Sequence, residues 1–166
     1  MELIFLKVHF FGEAGLFLRM ISWTLKKFHE LTIHELYAIL QLRNEVFAIE
    51  QNCVYPDMDN RDQPSYHLMC MQDEKLIAYA RIIPPGIVYT EPSIGRVVTS
   101  SIVRGTGIGK ELMNRSIGCI EELYGETPIR ISAQVYLQKF YTELGFQSVG
   151  DIYIEDSIEH IEMVKS

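Results

Sequence analysis

Hydrophobic and polar residues alternate with a period of two over residues 21–26, where Ile21, Trp23 and Leu25 interleave with Ser22, Thr24 and Lys26. Successive side chains of a strand point to opposite faces, so this pattern predicts a half-buried first strand. The period then lengthens. Thr32 followed by Glu35 reads as a capping box, and Leu36, Leu40, Arg43 and Phe47 recur at helical spacing, which puts an arginine on the apolar stripe of a first helix. Residues 52–64 are rich in proline, aspartate and asparagine and predict a loop. Two β-rich runs, Tyr66–Met71 and Leu76–Ile83, flank a tight polar turn at Asp73 and Glu74, as in an antiparallel hairpin.

Pro84, Pro85, Gly86 and Pro92 break the chain before a fourth strand, Ser93–Thr99. From Gly107 to Tyr124, Ile108, Leu112, Cys119 and Leu123 form a helical stripe, and Pro128 marks its end. A fifth strand, Ile129–Ala133, leads to a short helix, Val135–Leu144, closed by Gly145 as a left-handed cap with Phe146 packing back. Phe146–Val149 and His160–Val164 read as a final pair of strands. The order predicts an α/β fold with a mixed sheet and flanking helices. Without internal repeats, linkers or low-complexity tracts, residues 20–166 read as one domain. Residues 1–19 are apolar, but Lys7, His9, Glu13 and Arg19 interrupt them short of a membrane span, and Glu2 replaces the basic start of a signal peptide. They are set apart as an N-terminal extension.

A length of 166 residues suits one domain with a substantial core. The formal charge of -7 disfavours nucleic acid as the main partner and would attract a cationic substrate. Cys53, Cys70 and Cys119 are odd in number and widely spaced, which points to a reducing cytoplasm and away from a zinc or disulfide framework.

The candidate chemistry starts at Arg104-Gly105-Thr106-Gly107-Ile108-Gly109, which follows an apolar strand and opens an amphipathic helix. Glycines let a diphosphate approach the backbone, and the helix start presents free N–H groups and a positive dipole end. A P-loop is excluded because Arg104 stands where its first glycine belongs and Glu111 follows Lys110 in place of Ser or Thr. A dinucleotide fingerprint is excluded because Lys110 or Leu112 occupies the third glycine position. A tight packing turn is the duller alternative.

Arg104, Gly107 and Gly109 match the pattern Arg/Gln-x-x-Gly-x-Gly/Ala, which resembles the acyl-CoA loop of the GNAT superfamily of N-acetyltransferases. Phe140-Tyr141-Thr142-Glu143-Leu144-Gly145-Phe146 resembles that superfamily's Phe-Tyr-x-x-x-Gly-Phe segment, and the element order agrees. Leu42-Arg43-Asn44-Glu45-Val46-Phe47, Glu50-Gln51-Asn52-Cys53, Tyr55-Pro56-Asp57-Met58-Asp59, Ala78-Tyr79-Ala80-Arg81, Gly95-Arg96-Val97 and Ala133-Gln134 are similar to the ElaA-like branch, over residues 21–164.

The resemblance implies a mixed sheet of about six to seven strands splayed between the fourth and fifth. It implies acetyl-CoA as cosubstrate, its pantetheine on the backbone of Val97, Val98 and Thr99 and its diphosphate on the N–H groups of Arg104, Gly105, Thr106, Gly107, Ile108, Gly109 and Lys110. Tyr141 takes the family's role of proton donor to the departing thiolate. A backbone N–H near Val97 would stabilise the oxyanion.

The base and the acceptor contacts are sought in the polar cluster from the first helix to the second strand. Glu50 is the candidate base, and Arg43, Gln51, Tyr55, Asp59, His67 and His160 are candidate acceptor contacts. Arg43 and Glu50, seven apart, face one side if the helix extends that far; they either bind substrate or form a structural ion pair. Asp57, Asp59 and Asp62 either join the site or serve as turn residues. Their spacing lacks the glycine and distal glutamate of a calcium loop, so no metal is expected. Cys53 has no paired base at readable spacing, which favours direct transfer over an acyl-enzyme.

The function expected is acetyl transfer to a primary amine of a small molecule or peptide, with a CoA-binding regulatory protein as the rival. Neither nucleic acid nor a membrane is an expected partner, and a homodimer stays open.

Overall fold

The computed structural model describes residues 20–53 and 55–166. The extension expected over residues 1–19 lies outside the described residues. Seven strands, β1 (Ile21–Lys27), β2 (Tyr66–Gln72), β3 (Lys75–Ile83), β4 (Ser93–Thr99), β5 (Ile129–Gln134), β6 (Gln147–Glu155) and β7 (Ile158–Lys165), form one sheet in the order β1-β2-β3-β4-β5-β7-β6. All neighbours are antiparallel except β4 and β5. The mixed direction follows from the connections. Two-residue turns at Asp73-Glu74 and Asp156-Ser157, all four with positive φ, join β2 to β3 and β6 to β7 as tight hairpins. The helical connection from β4 lets β5 run parallel to it.

Helices cover both faces of the sheet. Ile39 and Leu42 of α1 (Ile33–Arg43) pack on Met69, Tyr79 and Val98. Leu112, Met113, Ile117 and Ile120 of α2 (Ile108–Tyr124) pack on the alternate residues, Leu68, Cys70, Ala80 and Ile82. The Thr32–Glu35 box is present in both directions: Glu35 N–H donates to Thr32 Oγ1 at 3.2 Å and Thr32 N–H to Glu35 Oε2 at 2.8 Å. The buried face of the first helix differs from the expected stripe, however. Ile39, Leu42, Arg43 and Val46 are inside, while Leu36, Leu40 and Phe47 lie at its margin. No helix of the described residues is long and apolar enough to cross a membrane.

After Arg43 the helix widens to a π-helical segment, Asn44–Glu50, where Gln51 N–H reaches back five residues to Val46 C=O at 3.0 Å. Positions seven apart then no longer stack, so Arg43 and Glu50 point to different neighbours. The last hairpin is also longer than its sequence pattern. Val149 to Glu155 is almost wholly exposed on both faces, which hides the alternation, and Gly150 at φ +78° sits where the register shifts.

The separation of β4 from β5 positions the site. They pair only at Ser93–Arg130, tied by Arg130 N–H donating to Pro92 C=O at 3.1 Å, and then part. On its other side β4 carries a bulge opposite β3, with Arg96 at φ +50°, so that Arg96 and Val97 fall out of the ladder.

Candidate functional site

The glycine loop is built as an anion cradle. Gly105 and Gly107 adopt φ +76° and +91°, conformations that other residues rarely take, and Gly107 is the N-cap of α2 with no side chain capping it. The first-turn N–H groups of Ile108, Gly109 and Lys110 therefore have neither an intrahelical nor a side-chain acceptor. A Cβ on Gly105 or Gly107 would meet nothing within 4 Å, so the loop's outer side is open. This donor set fits a diphosphate, and the fit concerns backbone far more than side chains.

Where β4 and β5 part, a cleft of about 1010 Å³ opens. It brings together eight of the candidates read from the sequence: Glu50, Gln51 and Tyr55 on one wall, Val97, Thr99 and Arg104 along β4 and the loop, and Tyr141 and His160 on the far side. Val98 is buried against α1 and leaves the cleft to its neighbours Val97 and Thr99. Arg43, Asp59 and His67 are not brought to the cleft.

Tyr141 lies on α3 (Gln138–Thr142), its ring edge-on to Phe140 at 5.1 Å and Phe146 at 6.2 Å between centroids. Its carbonyl accepts from Leu144 N–H at 3.0 Å and Phe146 N–H at 3.1 Å, the closing turn that Gly145 permits at φ +93°. Gln51, Gln134 and Tyr136 bridge the two walls at one end. Gln51 Nε2 donates to Tyr136 Oη at 3.2 Å, and Tyr136 Oη donates to Gln134 Oε1 at 2.6 Å. Cys53, nearly buried, donates its thiol to Asp156 C=O at 3.3 Å, and burial raises its pKa, which keeps it a thiol.

Arg43 does not pair with Glu50. It is 1 % exposed and its Nε donates to Asp57 Oδ2 at 2.8 Å, its Nη1 to Asp62 Oδ1 at 2.9 Å, and its Nη2 to Asp57 C=O at 2.9 Å. Glu50 instead receives Arg104 Nη2 across the cleft. Arg81 holds both oxygens of Asp59, at 2.7 and 2.8 Å, and shares Asp62 at 2.8 Å. Arg96 donates to Asp57 Oδ1 at 2.8 Å and to Asp59 Oδ2 at 3.3 Å. Three guanidiniums thus neutralise Asp57, Asp59 and Asp62, which fasten the loop to the sheet. The aspartate-rich loop therefore carries little unmatched negative charge, and these aspartates are more than turn residues.

Desolvation alone would raise the carboxyl pKa values here, but the arginines prevail: Arg43 and Arg96 hold Asp57, and Arg81 and Arg96 hold Asp59, below the usual carboxylate range. Depressed folded pKa values contribute stability that is complete above the unfolded value of about 4 and is lost as pH falls through the folded values. Denaturation midpoints measured from pH 7 downward should hold until about pH 4 and then decline; a flat profile to pH 2 would contradict the network's role. Arg43→Ala should destabilise the fold by about 3 kcal/mol in equilibrium urea unfolding, because it removes one of the two guanidiniums on each of Asp57 and Asp62 and leaves the buried space of the side chain unfilled.

His67 is 1 % exposed and fully engaged. Nε2 donates to Asp62 C=O at 3.0 Å, so Nδ1 accepts from Tyr79 Oη at 2.9 Å. Burial lowers its pKa and keeps the ring neutral. His160 faces the cleft, stacks on Tyr153 at 6.0 Å, and anchors Nδ1 on Ile158 C=O at 2.9 Å. Among the described residues no His, Cys, Asp or Glu group is arranged to hold a metal ion. Sequence reasoning missed Arg61, Tyr89, Ser132, Tyr153 and Glu155 as cleft residues. The signal for the last three was period-two polarity on paired strands, readable only once β5, β7 and β6 are known to be neighbours.

The acetyltransferase (GNAT) domain family matches residues 34–166. A UPF0039 protein of Synechocystis is 42% identical over 148 residues, covering 87% of this chain and 94% of that protein. The crystal structure of an acyl-CoA N-acyltransferase from Pseudomonas aeruginosa superposes with a TM-score of 0.84 at 44% identity, over 88% of this chain and 99% of the other. The crystal structure of Escherichia coli ElaA gives 0.83 at 37% identity, over 89% and 100%.

Proposed function

The chain belongs to the GNAT acetyltransferase family, and on that premise we propose that it transfers an acetyl group from acetyl-CoA directly to a primary amine of a small molecule or peptide. The parting of β4 from β5 ahead of the uncapped start of α2 carries this reading, since it offers an extended slot that reaches Thr99 and Arg104, where the anion cradle begins. Bound there, acetyl-CoA supplies an activated thioester carbonyl.

The chain's own groups do the rest. Arg104 and the N–H groups of the loop through Lys110 hold the diphosphate, and β4 from Val97 to Thr99 hydrogen-bonds the pantetheine arm. Val97 N–H, freed from the ladder by the bulge, stabilises the charge that develops on the acetyl oxygen. Glu50 accepts a proton from the attacking nitrogen once Arg104 turns from it to the diphosphate. Tyr141 gives a proton to the sulfur as the C–S bond breaks and the C–N bond forms. Gln51, Tyr55 and His160 contact the acceptor, while Arg43, Asp59 and His67 act indirectly by fixing the wall that carries Tyr55 and Arg96. The buried, protonated Cys53 supports direct transfer, and the free cysteines support a reducing, cytoplasmic setting.

The test is release of CoA thiol from acetyl-CoA across a panel of amines. Acceptor-dependent release supports transfer. Tight acetyl-CoA binding with no release for any amine would favour a CoA-binding regulatory protein.

A further inference from the structure

The charges that line the cleft can be matched one by one. Arg104 pairs with Glu50, Arg81 and Arg96 pair with the loop aspartates, and Glu162 pairs with Arg130. Three charged side chains at the cleft have no ion-pair partner among the described residues. Arg61, exposed, extends from the loop wall. Glu155 and Asp156 stand at the end of β6 and its turn, where Glu155 accepts only the Ser132 hydroxyl at 3.2 Å. The β4 and loop wall is therefore cationic in its unmatched charge and the β6–β7 wall anionic.

A second observation lies beneath the cationic wall. Arg81 lines the cleft at 1 % exposure, and its Nε is the one buried side-chain nitrogen or oxygen among the described residues that lacks a hydrogen-bond partner. A buried donor is ordinarily satisfied, and one left open beside a cleft marks a place for an acceptor oxygen. Gly95 stands opposite Arg81 in register and also lines the cleft, so β4 carries no side chain at that position.

We propose that the acceptor is an amine that also carries a carboxylate, with the carboxylate docked on Arg61 and over Arg81 and the amine held toward Glu155 and Asp156. This rests on the acetyl-transfer reading and names its substrate class. A simple polycation would leave Arg61 without a counter-charge, and a dianion such as a phosphate ester would be repelled by Glu155 and Asp156. A guanidinium is suited to a planar carboxylate through paired N–H donors. The carboxylate is unchanged by the reaction: nitrogen gains the acetyl carbon and loses a proton, and sulfur gains one.

The experiment compares matched amines, α- and ω-amino acids against their carboxamides and decarboxylated analogues, in two assays. One is thiol release from acetyl-CoA; the other is calorimetric binding of the same amines to protein saturated with CoA. The carboxylates should be preferred at least about tenfold in kcat/KM and in affinity. Arg61→Gln should erase that preference mainly through KM, and Arg61→Lys should restore part of it. Amides or decarboxylated amines that perform equally well, or a preference that survives in Arg61→Gln, would overturn the proposal while leaving acetyl transfer intact. Absence of turnover with every amine would overturn the transfer reading, and the binding assay would still decide whether the cleft selects a carboxylate.

Discussion

Tyr141→Phe is expected to lower kcat by about a hundredfold or more, with acetyl-CoA affinity within about twofold of the unaltered protein. The ring's position does not depend on the hydroxyl. It is wedged against Phe140 and Phe146, and its carbonyl is fixed by two backbone N–H groups, so removing one oxygen leaves the ring in place. Burial pushes the phenol up to about 12, so it remains protonated throughout the working range, as a proton donor must. The deficit should therefore be nearly constant with pH, and any basic limb of the profile belongs to another group. Steady-state kinetics across pH, with thermal unfolding as a check on folding, measures this. Unchanged turnover would remove Tyr141 from the chemistry and leave it a packing residue.

Gly107→Glu is expected to weaken acetyl-CoA binding by at least about a hundredfold, some 2.7 kcal/mol or more. Two effects add. At φ +91° a side chain carries a strain of roughly 1–2 kcal/mol, and a carboxylate at the N-cap of α2 claims the N–H groups that would otherwise meet the diphosphate while repelling it. Gly107→Ala separates the two, because it keeps the strain without the charge and should cost far less affinity. Calorimetry with acetyl-CoA reads both variants, and comparable binding by Gly107→Glu would place the diphosphate elsewhere.

These predictions rest on the parts of the molecule that local sequence specifies. The loop from Arg104 to Gly109, the capping box at Thr32, the turn at Asp73-Glu74 and the cap at Gly145 are each determined by residues within a few positions of one another, and each is present. The element order was legible for the same reason. Long-range partners were not. Nothing in the spacing of Arg43 and Glu50 reveals that a π-helical segment turns them apart, one to Asp57 and Asp62 and the other to Arg104. The arginines of β3 and β4 meet the loop aspartates through strand register, so Asp57, Asp59 and Asp62 read as either site members or turn residues until Arg81 and Arg96 are placed beside them. A clue was available: Arg81 interrupts the apolar run from Leu76 to Ile83, and a charge in a buried strand requires a partner. The opposite wall of the cleft was legible only at His160 for a related reason, since Ser132 and Tyr153 join it from neighbouring strands whose adjacency no local pattern encodes.

Acetyl transfer as proposed moves the group directly from a thioester held between β4 and β5 to an amine. A single turnover with acetyl-CoA labelled at the carbonyl carbon, quenched and resolved by mass spectrometry, follows that group. The label should appear as an amide on the amine, matched by free CoA, with none on the protein. Label retained by CoA with every amine, or trapped on Cys53, would contradict it.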